Sequence, residues 1–147
     1  MTVPAAAGGS DLSALAGQRF IALTTFRADG TPVTTPVWVV RAGRGATGGH
    51  ALVVTTPSGT AKLRRIRHGA GVVLRPCTRF GRIPPGARTV VGEAVIVGDD
   101  GQHPALVDRF RAKYGLEYRL FMAVERLSRR TEQGRTLIWI VPEGAAA

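Results

Sequence analysis

The chain has 147 residues, a length that supports one domain with its own core. Its 44% hydrophobic content excludes a disordered polymer, although 20 Lys+Arg against 10 Asp+Glu leave a formal net charge of +10. A single cysteine, Cys77, rules out an internal disulfide framework, and His50, His68 and His103 lack ligand spacing, so no structural metal is expected.

No apolar run approaches the roughly 20 residues that a membrane helix needs, and the first residues carry no basic leader or long apolar segment. The expectation is a soluble, cytoplasmic protein. Arginine outnumbers lysine eighteen to two, a bias that genome composition explains without chemistry. The placement of the charge says more. Between Thr60 and Arg82 stand Lys62, Arg64, Arg65, Arg67, Arg75, Arg79 and Arg82, with no acid among them. Such a run repels itself unless an anion offsets it.

In chain order, Ser10-Asp11 can cap a short helix through Leu12 and Leu15 that ends at Gly17. Arg19 to Arg27 forms a first strand. Asp29-Gly30 then marks a hairpin, since Gly accepts the positive φ that primed turns demand. A second strand runs from Pro32 to Arg41. A glycine-rich loop from Ala42 to Gly49 leads into the third, His50 to Thr56. Thr60 provides a hydroxyl cap for a helix, AKLRRIRH, with Leu63 and Ile66 on one face. Strands at Gly71 to Cys77 and Arg88 to Gly98 follow, then a helical hairpin on either side of Gly115, reaching Arg130. The last strand is Thr136 to Val141. Strands in runs, six in all, with helices inserted between them, predict a mainly β, α+β fold: a small split β-barrel with short outer helices, one domain over 1–147 whose ends, 1–10 and 143–147, fray.

Gly43-Arg44-Gly45-Ala46-Thr47-Gly48 satisfies the dinucleotide pattern G-x-G-x-x-G in form only. A strand follows it where the pyrophosphate needs a helix start, and the acidic residue that holds the ribose is missing. The stronger signal is Thr55 to Arg67. Hydroxyls and free N–H groups at a helix start, with Lys62 in its first turn, make an anion site, and Lys62 and Arg65 share a face. A solvated basic helix face accounts for the same residues equally well. Trp38 and Trp139 read first as packing anchors, and Cys77 as a small buried hydrophobe. Tyr114, Tyr118 and Phe121 read as core, with a lid or substrate wall as the second option.

The series TTFRADGTPVTTPVWVV, LVVTT, TAKLRRIRHGAGVVLRPCTRFGR, VVGEAVIV and KYGLEYRLFMAVERL, in that order, resembles the deazaflavin (coenzyme F420)-dependent oxidoreductases related to pyridoxamine 5′-phosphate oxidase. The resemblance runs from about Leu15 to Val141. It implies a split-barrel homodimer with a flavin or deazaflavin in a groove between subunits. By position it assigns the cofactor phosphate to Thr55, Thr56, Thr60, Lys62 and Arg65, with Arg64 or Arg67 toward the tail. Pro36, Val37 and Trp38 would lie along the ring, and Pro76, Cys77 and Thr78 would border the groove. Thr60-Ala61 stands where the family usually has Ser-Gly, and Gly69-Ala70 where it has Asn-Pro.

F420 carries a phosphodiester and a polyglutamate tail, so an acid-free basic surface complements it. The implied activity is hydride transfer from reduced deazaflavin to a small organic substrate. It needs no side-chain nucleophile, and no catalytic residue is assigned. FMN is the alternative cofactor, and a deazaflavin carrier without turnover is a further alternative. Nucleic-acid binding by the basic helix is the reading from another class, weakened by the scarcity of aromatics among the arginines.

Overall fold

The structure is a computed structural model that describes residues 9–42, 51–128 and 134–143. The glycine-rich segment 43–50, the outermost residues of both ends, and the side chains of Ser10 and Asp11 lie outside that description, as do the readings placed on them. Among the described residues no helix is long and apolar enough to cross a membrane.

Seven antiparallel strands form one sheet: β1 (Phe20–Phe26), β2 (Pro32–Val37), β3 (Val39–Arg41), β4 (Leu52–Pro57), β5 (Gly71–Cys77), β6 (Val90–Asp99) and β7 (Arg135–Pro142). Their order is β2-β1-β5-β6-β7-β4-β3. The two outer members, β2 and β3, are halves of the single strand expected from Pro32 to Arg41. At Trp38 the chain leaves its partner β1, last paired at Ile21↔Val37, and takes up β4, first paired at Val39↔Val54. The sheet therefore closes on itself through one residue, which makes it a split β-barrel and accounts for seven strands in place of six.

Among the described residues four α-helices flank it: α1 (Gly9–Leu15), α2 (Ala61–His68), α3 (Pro104–Tyr114) and α4 (Leu116–Ser128), with one 3-10 turn at Asp100–Gln102. Alternation along the strands feeds two cores. Ile21, Leu23, Val37, Val39, Leu52, Val54, Leu74, Ile138 and Ile140 fill the barrel with Leu12 and Leu15 of α1 and Leu63 and Ile66 of α2. Trp38, Val40, Val53 and Leu137 point the other way, against Phe110, Tyr114 and Tyr118 of the α3–α4 pair. β4 and β7 are covered on both faces, which is why their sequences are nearly unbroken apolar runs.

Three local readings change. The β1–β2 turn is not a primed one: Gly30 has φ 88°, while among the described residues no other residue type has positive φ. Arg27 N–H donates to Thr31 O at 2.9 Å and Gly30 N–H to Arg27 O at 2.8 Å, the longer loop with one left-handed glycine. Thr60 stands at the N-cap of α2, but its hydroxyl makes no cap bond and lies 3.5 Å from Thr56 Oγ1. The two expected helices are joined more tightly than their apolar spacing indicated, by a one-residue elbow, Gly115, between α3 and α4.

A knot at the end of α3 sets the elbow against the barrel. Lys113 Nζ donates to the carbonyls of Ala16 (2.9 Å), Gln18 (2.5 Å) and Val39 (2.6 Å). Tyr114 Oη donates toward Arg19 O at 2.8 Å and accepts from Val39 N–H at 2.9 Å. Burial pushes the Tyr114 hydroxyl up to about 12 and the Lys113 ammonium down to about 8, the latter helped by Arg19. Both side chains thus grip the backbone next to Trp38, where the barrel closes.

Candidate functional site

The outer side of that closure is a groove of about 850 Å³. Its floor is Trp38, stacked on Tyr114 at 5.2 Å between centroids and met edge-on by Phe121 at 4.9 Å. Pro36 and Val37 of β2 continue the floor, and Thr55, Thr56 and Pro57 of β4 form one side with Lys62 of α2. The opposite side is α4, through Leu116, Leu120, Phe121 and Val124. These four, together with Leu127, are large apolar side chains left exposed, at up to 88% for Leu127.

Lys62 is 9% exposed and aims into the groove, yet it has no hydrogen bond or ion pair among the described residues. Burial pushes its ammonium down to about 8, and the nearby charges of Arg65 and Arg135 act in the same direction. A buried cation without an acceptor is costly, and a bound anion would relieve it. Beside it stands Arg135, the first residue of β7. Its Nε donates to Thr55 Oγ1 at 3.0 Å and one terminal nitrogen to Thr55 O at 3.2 Å. The other terminal nitrogen holds both oxygens of Glu125, at 3.1 and 3.0 Å, in a pair with side chains only 7% and 13% exposed. The guanidinium carbon lies 5.9 Å from the Trp38 ring and 5.6 Å from that of Phe121, so it also packs as a cation against the aromatic floor.

The other end of the groove is held in the same way. Glu117 of α4 receives Arg19 on one oxygen and Arg79, at 2.8 Å, on the other. Glu117, Phe121 and Glu125 are spaced i, i+4, i+8, which places them on one face of α4 about 12 Å from first to last. The helix is thereby pinned along the groove by an ion pair at each end, with Phe121 over Trp38 between them.

Of the positions assigned by resemblance, Pro36, Val37, Trp38, Thr55, Thr56 and Lys62 come together here. Thr60 approaches Thr56 but does not line the groove. Arg64 and Arg67 are on the exposed outer face of α2, and Arg65 turns to β1, where its Nε donates to Thr25 Oγ1 at 2.7 Å. Lys62 and Arg65 thus diverge, although they are one helical turn apart. Pro76 and Cys77 are spent on pairing with Ile21 and Phe20, and the Thr78 hydroxyl accepts from Arg82 N–H. Burial pushes the Cys77 thiol up, away from the reactive thiolate. Arg135, Glu125, Glu117 and Arg79 were not foreseen. The available signals were an arginine opening a doubly buried strand and two acids eight apart on the helix that passes it.

The profile of the pyridoxamine 5′-phosphate oxidases matches residues 12–147. The chain belongs to the pyridoxamine 5′-phosphate oxidase family. No curated protein matches it in sequence. Among solved structures it is similar to the heme storage protein HutZ of Vibrio cholerae (14% identity, 91% of this chain and 87% of that one, TM-score 0.59). It is likewise similar to an F420 reductase (21%, 88% and 91%, TM-score 0.52). A third is a pyridoxamine 5′-phosphate oxidase-related, FMN binding protein from Nostoc punctiforme (16%, 89% and 74%, TM-score 0.52). At these identities the likeness is one of fold. Membership in the pyridoxamine 5′-phosphate oxidase family makes this an oxidoreductase-type flavin scaffold, and the groove carries both an aromatic floor and a cation that has no partner among the described residues.

Proposed function

We propose that the groove holds coenzyme F420 and that the protein transfers a hydride from the reduced deazaflavin to a small organic substrate. The observation that carries this reading is Lys62, a residue 9% exposed that has no hydrogen-bond or ion-pair partner among the described residues, at one end of an aromatic-floored groove. An anion there would be met by Lys62, by the Thr55 and Thr56 hydroxyls and by the Arg135 field. Trp38 and Val37 would support a planar ring, and α4 would exclude water from one side. When bound, the deazaflavin supplies the hydride from its ring; this chain's residues bind, orient and dry the site. Arg64 and Arg67, exposed on α2 with no acid in the same run, favour a ligand with a polyanionic tail over FMN.

The exposed leucines of α4 continue the groove wall outward, which favours a second copy of the chain completing the site as a homodimer. Tryptophan emission followed during titration with F420 and, separately, FMN tests the proposal at physiological salt. Saturable binding of one F420 per chain, tighter than FMN and weakened in Lys62→Met, is the expected result. Tighter FMN would keep the site and replace the cofactor. Binding of neither, with a salt-steep affinity for any duplex DNA, would overturn the reading in favour of the basic helix as a nucleic-acid surface.

A further inference from the structure

The groove is cationic at both ends. At the Lys62 end Glu125 neutralises Arg135, which leaves one ammonium for an anion. About 12 Å along α4, two guanidiniums, Arg19 and Arg79, share the single carboxylate of Glu117, so this end too has an excess positive charge. Arg79 is the member of the pair that lines the groove. Its side chain is 61% exposed. Only one of its nitrogens has a protein partner among the described residues, and an arginine has five N–H donors. The rest of the guanidinium lies over the Phe20 ring, 5.9 Å from its centroid.

The arginine is also well placed. It sits in a tight turn closed by Thr78 N–H to Arg82 O and Gly81 N–H to Thr78 O, both 2.9 Å, and by Arg82 N–H to Thr78 Oγ1 at 3.1 Å. At Gly81, with φ 84°, an added Cβ would meet the Pro36 ring at 3.6 Å, so the turn runs close to the edge of the groove floor. Phe80, the next residue in the turn, is 90% exposed. An aromatic floor between two separated cationic ends selects two anionic groups on either side of flat apolar matter.

We propose that Arg79 docks a carboxylate of the substrate, so that this protein acts on planar, apolar molecules bearing an acid group. The inference deepens the cofactor reading above: the phosphate end belongs to the cofactor through Lys62, and the Arg79 end to the molecule that faces it. Arg79 uses its free edge for the substrate acid while Glu117 keeps the other edge in place, and Arg19 holds Glu117 from behind. Neutral analogues of the same shape lose the charge-assisted bonds and retain only the apolar contacts with Phe20, Leu116 and Leu120.

The test is calorimetric titration of the full chain, free and saturated with F420 or FMN, with 2-naphthoate and with 2-naphthamide at low salt. These probes share a flat apolar body and differ in charge. The loaded protein is expected to bind the carboxylate about tenfold or more tightly than the amide. Arg79→Gln should reduce that preference to about twofold, and Arg79→Lys should restore part of it, with cofactor affinity unchanged in both. Equal affinity for the two probes, or a preference that survives Arg79→Gln, would overturn the assignment. So would a preference that disappears in Lys62→Met instead, placing the acid at the phosphate end, or a loss of cofactor affinity in Arg79→Gln, giving both ends to one ligand. If neither cofactor binds, the probe preference and its dependence on Arg79 remain measurable on the free chain, so the two readings fail separately.

Discussion

Replacing Lys62 by methionine should make the free protein more stable and a poorer binder at the same time. The ammonium is moved from an ordinary 10.5 to about 8, chiefly by burial. A shift of that size means that holding the charged form in the fold costs on the order of 3 kcal/mol at neutral pH. Methionine keeps the length and the packing of the aliphatic stem and removes the charge. Discounting for the part of the side chain still in water, the gain is about 1–3 kcal/mol, a rise in Tm of about 3–9 °C for a domain of this size. The sign with pH follows from a lysine whose pKa is lower folded than unfolded. The cost is fully present below about pH 8 and fades toward 10.5, where the unfolded chain also gives up its proton. The difference in Tm between variant and wild type should therefore be largest near neutrality and close as pH rises through that window. Affinity for a phosphate-bearing ligand should fall by at least about tenfold in the variant, the scale of a lost charge-assisted bond. In the wild type it should weaken above about pH 8, and in the variant it should be flat there. Thermal melts between pH 7 and 10, paired with fluorescence titration, measure both. A variant that melts lower and binds equally well would refute the argument that Lys62 is an unmatched cation awaiting an anion.

Arg135→Met takes the guanidinium from the largely enclosed Glu125 carboxylate and should lose about 1–3 kcal/mol in urea unfolding; adding Glu125→Gln should recover part of it, a coupling that a double-mutant cycle reads directly. Gly92→Ala places a methyl 2.9 Å from Val141 O and 3.0 Å from Ile140 Cγ2, where β6 and β7 meet, and should lower stability by about 1–3 kcal/mol. Lys113→Met removes the donor shared by the Ala16, Gln18 and Val39 carbonyls, but it also removes an ammonium that burial holds down at about 8, so the two effects oppose and the net loss should be about 1 kcal/mol or less, with the tryptophan emission of the folded state moving to the red as Trp38 loosens. An unshifted folded-state spectrum would separate Lys113 from the placement of that ring.

The sequence made the strands and helices legible because their periods are clean. Ala61 to His68 and Gly71 to Cys77 appear with the boundaries expected, and the interruption at Gly115 marks the joint between α3 and α4. It did not reveal that Pro32 to Arg41 serves two partners, because side-chain alternation passes through Trp38 unbroken while the hydrogen-bond partner changes. The strand residues that line the groove, Pro36, Val37, Trp38, Thr55 and Thr56, were named through the family resemblance and not from their own spacing. The half formed by α4 was not legible: Leu116, Leu120 and Val124 look like the core face of an ordinary amphipathic helix, and only the fold shows that this face is left open. Arg135 was hidden by the opposite error, since a charged residue at a strand end reads as solvated, and its burial depends on Glu125 arriving from ten residues earlier in the chain.

The handover at Trp38 also limits how this chain can change length. An insertion or deletion in a hairpin turn such as Arg27 to Thr31 is absorbed where it falls, because both strands keep their register. One residue gained or lost between Pro32 and Arg41 has no such outlet. It would put either the half paired with β1 or the half paired with β4 out of step, turning inward-facing valines outward and carrying Trp38 from the groove floor toward the barrel interior. Variants of this protein can therefore diversify in sequence along that stretch far more freely than in residue count, and any natural length change there would mark a barrel that closes differently and has lost this groove.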